Sequence, residues 1–490
     1  MDNKIQTPTH FIKSFFTFDK KSIRVILSLI LPVFAELLLS TSFGMADHIM
    51  ASRYDTDALI AITLYSAPAN IFNILFTAIN VGTTVRVAWN IGANNYEAAR
   101  RVLRTSLILN FILGIIITTV SVLSAPYVVQ FMAGDKYGSV YTPGTIAYEA
   151  VQVYIICSFF TLASGLKCSI TAALRGAGEN KAPLVYNLTS SFLNVIGNYL
   201  LIYGVPALAI PEMGARGAAL STTITYYIGF IFAVIYILNS KKSKLGGKNP
   251  DYLSRKSQEK QSVSSFIFPN IIISRNILRI GVPSALENLI ISIGSVLFSK
   301  MIISTGPDNY AAYQISNSAY ALFAIFTSAF SIAANTLIGQ NVGAKDIKGA
   351  KNYVNTISRF SFLISLCLSG AIILLSKQLI LLYTDKQNII PIAKILISIS
   401  AITIISQNLS ACFAGSLRGA GDTKFPLYTS IGCVLILRVV ITALVVYVFK
   451  LGIYGIQFVI LSDQTIQAIT MYIRYRSGRW EKYSKETEKD

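Results

Sequence analysis

The sequence predicts an all-α polytopic membrane protein, with twelve transmembrane helices in two six-helix lobes related by a pseudo-two-fold internal repeat. Three observations carry this. Of 490 residues, 53% are hydrophobic and only 13% are charged, against roughly 25% charged in an average soluble chain. The apolar residues fall in stretches of about 20, the length at which a helix crosses a bilayer. Short motifs also recur in the same order in the two halves of the chain.

Residues 1–23 are read as a cytoplasmic segment. Within it, 9–21 alternates aromatics with Lys, too charged for a signal peptide and suited to lying on the inner leaflet. The first lobe, 24–238, holds apolar stretches at 24–50, 58–88, 104–124, 147–173, 182–204 and 214–238. The Ser/Lys/Gly-rich run 239–275 reads as a cytoplasmic linker. The second lobe, 276–474, holds stretches at 276–303, 309–339, 353–375, 391–416, 425–449 and 452–474, and 475–490 is a cytoplasmic tail. Stretches well beyond 20 residues imply tilt or projection past the hydrocarbon.

The formal charge is +19. With the N-terminus inside, 31 of the 42 Lys and Arg fall on the inner side and 8 on the outer, while Arg86, Lys167 and Arg438 lie within apolar stretches. This bias orients the chain with both termini in the cytoplasm, as expected of a protein of the cell membrane. Bases confined to such loops speak against nucleic acid as a partner. The five cysteines lie in apolar stretches without CxxC spacing and read as small buried hydrophobes. His10 and His48 cannot build a metal site, and no nucleotide loop, nucleophile elbow or zinc motif is present. An enzyme is therefore not expected. The expected partner is the bilayer, with no obligate protein partner.

The repeat is specific because five matches keep register. Pro32 and Glu36 match Pro283 and Glu287, and Asp57 matches Asp308. Residues 90–93 (NIGA) match 341–344 (NVGA), and LRGAGENKAP at 174–183 matches LRGAGDTKFP at 417–426. Gly214 and Gly217 match Gly452 and Gly455. Two parallel six-helix repeats imply a cleft between lobes that opens to one side at a time.

These motifs resemble the multidrug and toxic compound extrusion (MATE) family, in its bacterial multidrug branch. The carrying residues are the proline early in helix 1, ADHIMASRY at 46–54, NIGANNYEAARR at 90–101, both LRGAG loops and GARGAA at 214–219. The resemblance spans roughly 24–476. It implies a cation-coupled antiporter that exports amphiphilic, often cationic drugs by alternating access, with small amphiphilic molecules as partners and no cofactor beyond a coupling ion, H⁺ or Na⁺. A lipid-linked saccharide flippase of similar two-lobe design is the alternative. It would need a basic cavity for pyrophosphate, whereas the acids Glu36, Asp47 and Glu287 lie within the stretches.

An intramembrane acid should face a cavity or a partner. Asp47 stands fifteen residues after Pro32, where the resemblance implies the cation-coupling carboxylate; a helix-end cap is the competing explanation. Asn187, Ser191, Asn194 and Asn198 form one face of helix 5. Asn194 and Asn198 reach the depth of Asp47 and complete a candidate cation-coupling group with it. Family members often have Asp at the Asn198 position, so the amide here favours protons over Na⁺; plain inter-helix hydrogen bonding is the alternative. Glu36 and Glu287, repeat-related and near mid-depth, are candidate substrate-binding carboxylates. Structural salt bridges, with Lys167 or Arg438 as partner, are the alternative. One branch of the family has its helix-7 glutamate two turns after the proline, where this chain has Ile291, so sodium chemistry is not carried over to Glu287. Asn70 and Asn73 open a polar stripe on helix 2, Asn317 and Asn335 mark one on helix 8, and Tyr65 and Phe43 offer cation–π surfaces. These four helix-1 and helix-2 residues join the substrate-binding set. Glu149 reads as a helix-start acid beside the macrodipole.

Overall fold

A computed structural model describes residues 19–247 and 269–483. Twelve long helical elements follow in order: α1 Lys20–Tyr54, α2 Thr56–Gly92, α3 Tyr96–Ala133, α4 Ile146–Ala177, α5 Lys181–Tyr203 and α6 Gly214–Asn239. Then come α7 Ile271–Ile303, α8 Pro307–Gly343, α9 Ile347–Leu381 and α10 Ile389–Gly419. The eleventh, α11, opens as Lys424–Ser430 and runs on π-wound through Ile431–Ile441 and Leu444–Val448, and α12 is Gly452–Arg476. Seven of the helices, α1 to α4 and α8 to α10, overrun the apolar stretches at both ends, most of all α3 and α9. Ten elements contain a span long and apolar enough to cross a membrane; α5 and α12 are the two that fall short. Both carry inward amides, Asn194 and Asn198 on α5 and Gln457 and Gln464 on α12. The interfacial segment expected at 9–21 lies almost wholly outside the described residues, as does 248–268 of the linker. The Ser22 hydroxyl, aided by the Lys21 and Ser22 backbone N–H groups, holds the Asp19 carboxyl below its ordinary range at the start of α1.

The helices are built inside-out. On α3, Ile112, Ile116, Val120, Leu123, Tyr127 and Phe131 form an exposed apolar face, while Ser106, Asn110, Gly114, Thr118 and Ser121 are buried. On α9, Ser361, Ser365, Ser369 and Ser376 point inward. In lipid, burial of apolar side chains gains nothing, so small residues that allow close approach hold helices together. Cys157, Cys412 and Cys433 are buried as expected, but Cys367 is exposed on the outer face of α9.

Two compact units result. One spans Ala35–Leu289; the other joins the residues up to Phe34 to those from Ile290 onward. Their limits are not those of the two sequence halves, because α1 changes unit two residues after Pro32 and α7 changes unit after Leu289. Inside each unit the same helices pair: α2 on α4 and α5 on α6 in one, α8 on α10 and α11 with α12 in the other.

The repeat extends to backbone detail. Asn94 and Lys345, at matched positions, both take a positive φ, of 57° and 59°. The next residue in each case caps the following helix, Asn95 accepting from Ala98 N at 3.1 Å and Asp346 from Gly349 N at 2.8 Å. Both LRGAG turns end with a left-handed glycine, Gly178 and Gly421. In each, the next N–H returns to the leucine carbonyl at 2.8 Å, Glu179 to Leu174 and Asp422 to Leu417, the hydrogen-bond pattern of a Schellman cap. A Cβ on Gly176 would run into Thr84 O, and one on the matched Gly419 into Asn335 O. The glycines set how closely α4 meets α2 and α10 meets α8.

Each unit also tucks in the chain that follows its last helix. Leu245, 2% exposed, joins the apolar cluster around Val87, Val102 and Tyr186, and Glu179 Oε1 accepts from Lys244 N at 2.7 Å. Trp480, 2% exposed, stacks on Tyr475 with ring centroids 6.2 Å apart, and the matched acid Asp422 accepts from Arg474 Nε at 2.7 Å. Residues 240–247, expected to be linker, therefore belong to the packed lobe.

Candidate functional site

The unit Ala35–Leu289 gathers Asp47, Asn194 and Asn198. Asp47 lies half-buried toward the end of α1, and α5 presents both asparagines on one buried face. Asn198 Nδ2 donates to Asp47 Oδ1 at 2.7 Å. Asn194 lies against the same carboxyl: its side-chain nitrogen is 3.0 Å from Oδ1 and 2.9 Å from Oδ2, while its oxygen accepts from Thr222 Oγ1 at 3.2 Å. The groups that bond Asp47 are amides rather than bases.

Glu36 lies three turns earlier on α1 and is 5% exposed. Its Oε1 accepts from Arg175 Nη2 at 2.9 Å and from Asn187 Nδ2 at 2.7 Å. Neither Lys167 nor Arg438 is therefore its ion-pair partner; the base comes from the LRGAG turn that closes α4. Its second oxygen, Oε2, is buried without a hydrogen-bond partner. Lys167, 6% exposed, places its ammonium over the Tyr226 ring, 3.6 Å from the centroid.

The other candidates are less closely grouped. Tyr65 is buried, its hydroxyl 3.1 Å from Cys157 O and 3.0 Å from Thr161 Oγ1, with its ring edge-on to Tyr154. It belongs to the packing of α2 on α4. Phe43 is half-buried on α1, and Asn70 and Asn73 are exposed on α2. Further along that stripe the polar groups turn inward: Asn110 Nδ2 donates to Asn80 Oδ1 at 3.1 Å and Thr84 Oγ1 to Ala172 O at 3.0 Å. Glu287 is 5% exposed on α7, one turn after Pro283. Glu149 pairs with Arg216 at the start of α6 through contacts of 2.7 and 2.6 Å.

The other unit answers with a different device. Arg438 on α11 pairs with Asp463 on α12, which is fully buried. Arg438 Nε donates to Asp463 Oδ2 at 2.9 Å, and Gln467 Nε2 fills Oδ1 at 2.9 Å. Sequence reasoning passed over Asp463, although an acid mid-way through 452–474 met the criterion applied to Glu36. It also assigned Arg175 to a loop, and did not single out Ser221, Thr222 or Tyr226.

With this geometry in hand, comparison with known proteins is informative. The MatE family model matches residues 32–200 and 283–444. The probable multidrug resistance protein NorM of Thermotoga maritima is 27% identical over 469 residues, covering 93% of each chain. A crystal structure of MATE in complex with MaD3S superposes with a TM-score of 0.81 at 21% identity, covering 94% of this chain and 97% of that one. A multidrug resistance MATE transporter of the MOP superfamily, in an outward-facing conformation, gives 0.79 at 21% identity over 94% and 96%.

Proposed function

This chain belongs to the MatE family of multi-pass membrane transporters, and from that premise we propose that it is a proton-coupled exporter of amphiphilic cations that works by alternating access. The observation that carries the proton is the Asp47 carboxyl held between two amides, Asn198 and Asn194, rather than by a base. The multidrug names of its relatives support the substrate class. In this reading Asp47, Asn194 and Asn198 form the coupling group, and Glu36 and Glu287 attract the substrate cation, with Phe43, Asn70 and Asn73 along its path. Glu36 keeps one oxygen for this task, since Arg175 and Asn187 occupy the other. Tyr65 contributes by holding α2 against α4.

Proton binding at Asp47 and cation binding at Glu36 oppose one another. By linkage, each must weaken the other by the same factor. The inward gradient supplies about 1.4 kcal/mol per pH unit and about 2.3 kcal/mol per 100 mV for each charge moved. Both termini lie on the cytoplasmic side of the cell membrane in this reading, as the distribution of bases requires.

The test is ethidium transport in vesicles, with a pH gradient and a Na⁺ gradient imposed separately. Efflux driven by the pH gradient alone is expected. Efflux driven only by Na⁺ would overturn the proton assignment, and lipid scrambling without ethidium efflux would point to the flippase instead. Impermeant labelling of a single cysteine at Ser257 from outside intact cells would reverse the topology.

A further inference from the structure

Along the seam of α8 and α10, the second unit (that of Arg438 and Asp463) buries polar atoms that no side chain or backbone group serves. Asn408 on α10 is fully buried, and neither its Oδ1 nor its Nδ2 has a hydrogen-bond partner. Thr327 Oγ1 on α8 and Ser361 Oγ on α9 are buried in the same condition. Elsewhere in these helices a lone hydroxyl bonds back to the carbonyl one turn earlier, as Ser328 does to Ala324 O at 3.0 Å and Thr403 to Ile399 O at 2.9 Å. Thr327 and Ser361 do not. A buried amide with no bond at either end is costly unless something else meets it.

The three residues share one level of the unit. Ser316 Oγ lies 2.9 Å from Ser400 Oγ, and a Cβ on Gly415 or Gly419 would run into Ser331 O or Asn335 O. Each of these pairs is 84 residues apart, so α8 and α10 run side by side in one register and Asn408 falls opposite 324–327. The repeat places it likewise. Thr327 and Asn408 stand where the first unit has Phe76 and Gly165, and there a Cβ on the glycine would run into the Phe76 ring. Ser361 stands where the first unit has Asn110, whose amide reaches Ser169 on α4 and Asn80 on α2. The positions of Ser169 and Asn80 are Cys412 and Ser331 in the second unit. A thiol is a weak hydrogen-bonding group, and two asparagines replaced by serines take side-chain volume away from the level where the unpaired atoms lie.

We propose that Asn408, Thr327 and Ser361 hold internal water between α8, α9 and α10. Water both donates and accepts, so it can take the Nδ2 hydrogens, serve Oδ1 and meet the two hydroxyls; a buried water makes about two to four such bonds. A cation fits less well. It would leave Nδ2 unserved, and Thr327, Ser331, Ser361, Asn408 and Cys412 include no acid to balance its charge. The matched level of the first unit is closed by its own side chains, Phe76 on Gly165 and Asn110 on Ser169. The site is independent of what the protein transports.

X-ray hydroxyl-radical footprinting of the full-length protein in nanodiscs tests this, because radicals formed from a bound water label only the side chains beside it. Cys412, 1% exposed and one turn beyond Asn408, should be labelled in the native protein. Phe76, 3% exposed at the matched seam, should not. Asn408→Leu puts an apolar side chain into the site and should remove most of the Cys412 labelling. The pair Thr327→Phe with Asn408→Gly copies the closed seam of the first unit and should do the same at a native-like unfolding temperature. Thr327→Val, which keeps the shape and removes one hydroxyl, should lower the labelling in part. Native Cys412 as unlabelled as Phe76, or labelling that persists undiminished in the folded variants, would overturn the proposal. Labelling of native Cys412 that appears only when Na⁺ is exchanged for choline would give the site to the cation and overturn it as well.

Discussion

The two units share a backbone and differ in how they treat a buried acid. Each has its Schellman-capped LRGAG turn, a glycine under a neighbouring carbonyl, and a matched acid, Glu179 or Asp422, that holds the chain just after the unit's last helix or that helix's last turn. In one, Asp47 is held by the amides of Asn194 and Asn198. In the other, Asp463 is saturated by Arg438 and Gln467. The positions of α11 matching Asn194 and Asn198 are Leu437 and Ile441, and Phe298 stands where the first repeat has Asp47, packed in an apolar cluster. A duplicated scaffold thus surrounds an acid with amides in one copy and with an arginine in the other. On the proposed reading an acid among amides is free to exchange a proton, while a buried arginine commits an acid to its ionised state.

The sharpest break of this comparison is Asp47→Asn. It should abolish pH-driven ethidium efflux while leaving ethidium bound. Native protein should bind more weakly at pH 5.5 than at 8.5, by about tenfold or more, because protonation disfavours the cation; the variant should be flat. Full pH dependence in Asp47→Asn would move the coupling acid to Glu36 or Glu287.

Next in size is Asp463→Asn, which strands Arg438 in the other unit. Thermal unfolding should report a loss of about 3–5 kcal/mol, largely recovered when Arg438→Met and Asp463→Leu are combined. The pH profile of ethidium binding in the double variant should match the native one. A flattened profile would mean that the second unit also couples.

Gly176→Ala and Gly419→Ala probe what the units share. Each forces a methyl against a neighbouring carbonyl, and each should cost about 1–3 kcal/mol. Loss in one variant alone would show that the matched crossings of α4 on α2 and α10 on α8 are not equivalent. Smallest is Glu36→Gln, expected to weaken ethidium binding by about tenfold, or 1.4 kcal/mol, and to spare neutral substrates. Equal loss for both would give Glu36 a structural role with Arg175.

Much of this was legible in the sequence because it depends on composition and period. Apolar length sets the spans, repeated motifs set the two six-helix sets, and a spacing of three or four residues places Asn194 and Asn198 on one face at the depth of Asp47. Those are properties of single helices. Partners across helices are not, because they depend on how each helix is rotated and how closely it is packed. Arg175, numbered into a loop, lies in the last turn of α4 and reaches Glu36 on α1. Arg438, on the π-wound part of α11, finds Asp463 only across the packing of α11 on α12. The run after Asn239 reads as linker by composition, yet Leu245 is drawn into the lobe by an apolar pocket that only the assembled α2, α3, α5 and α6 create. Local periodicity determined which residues could meet; the packing of helices through small residues decided which of them do.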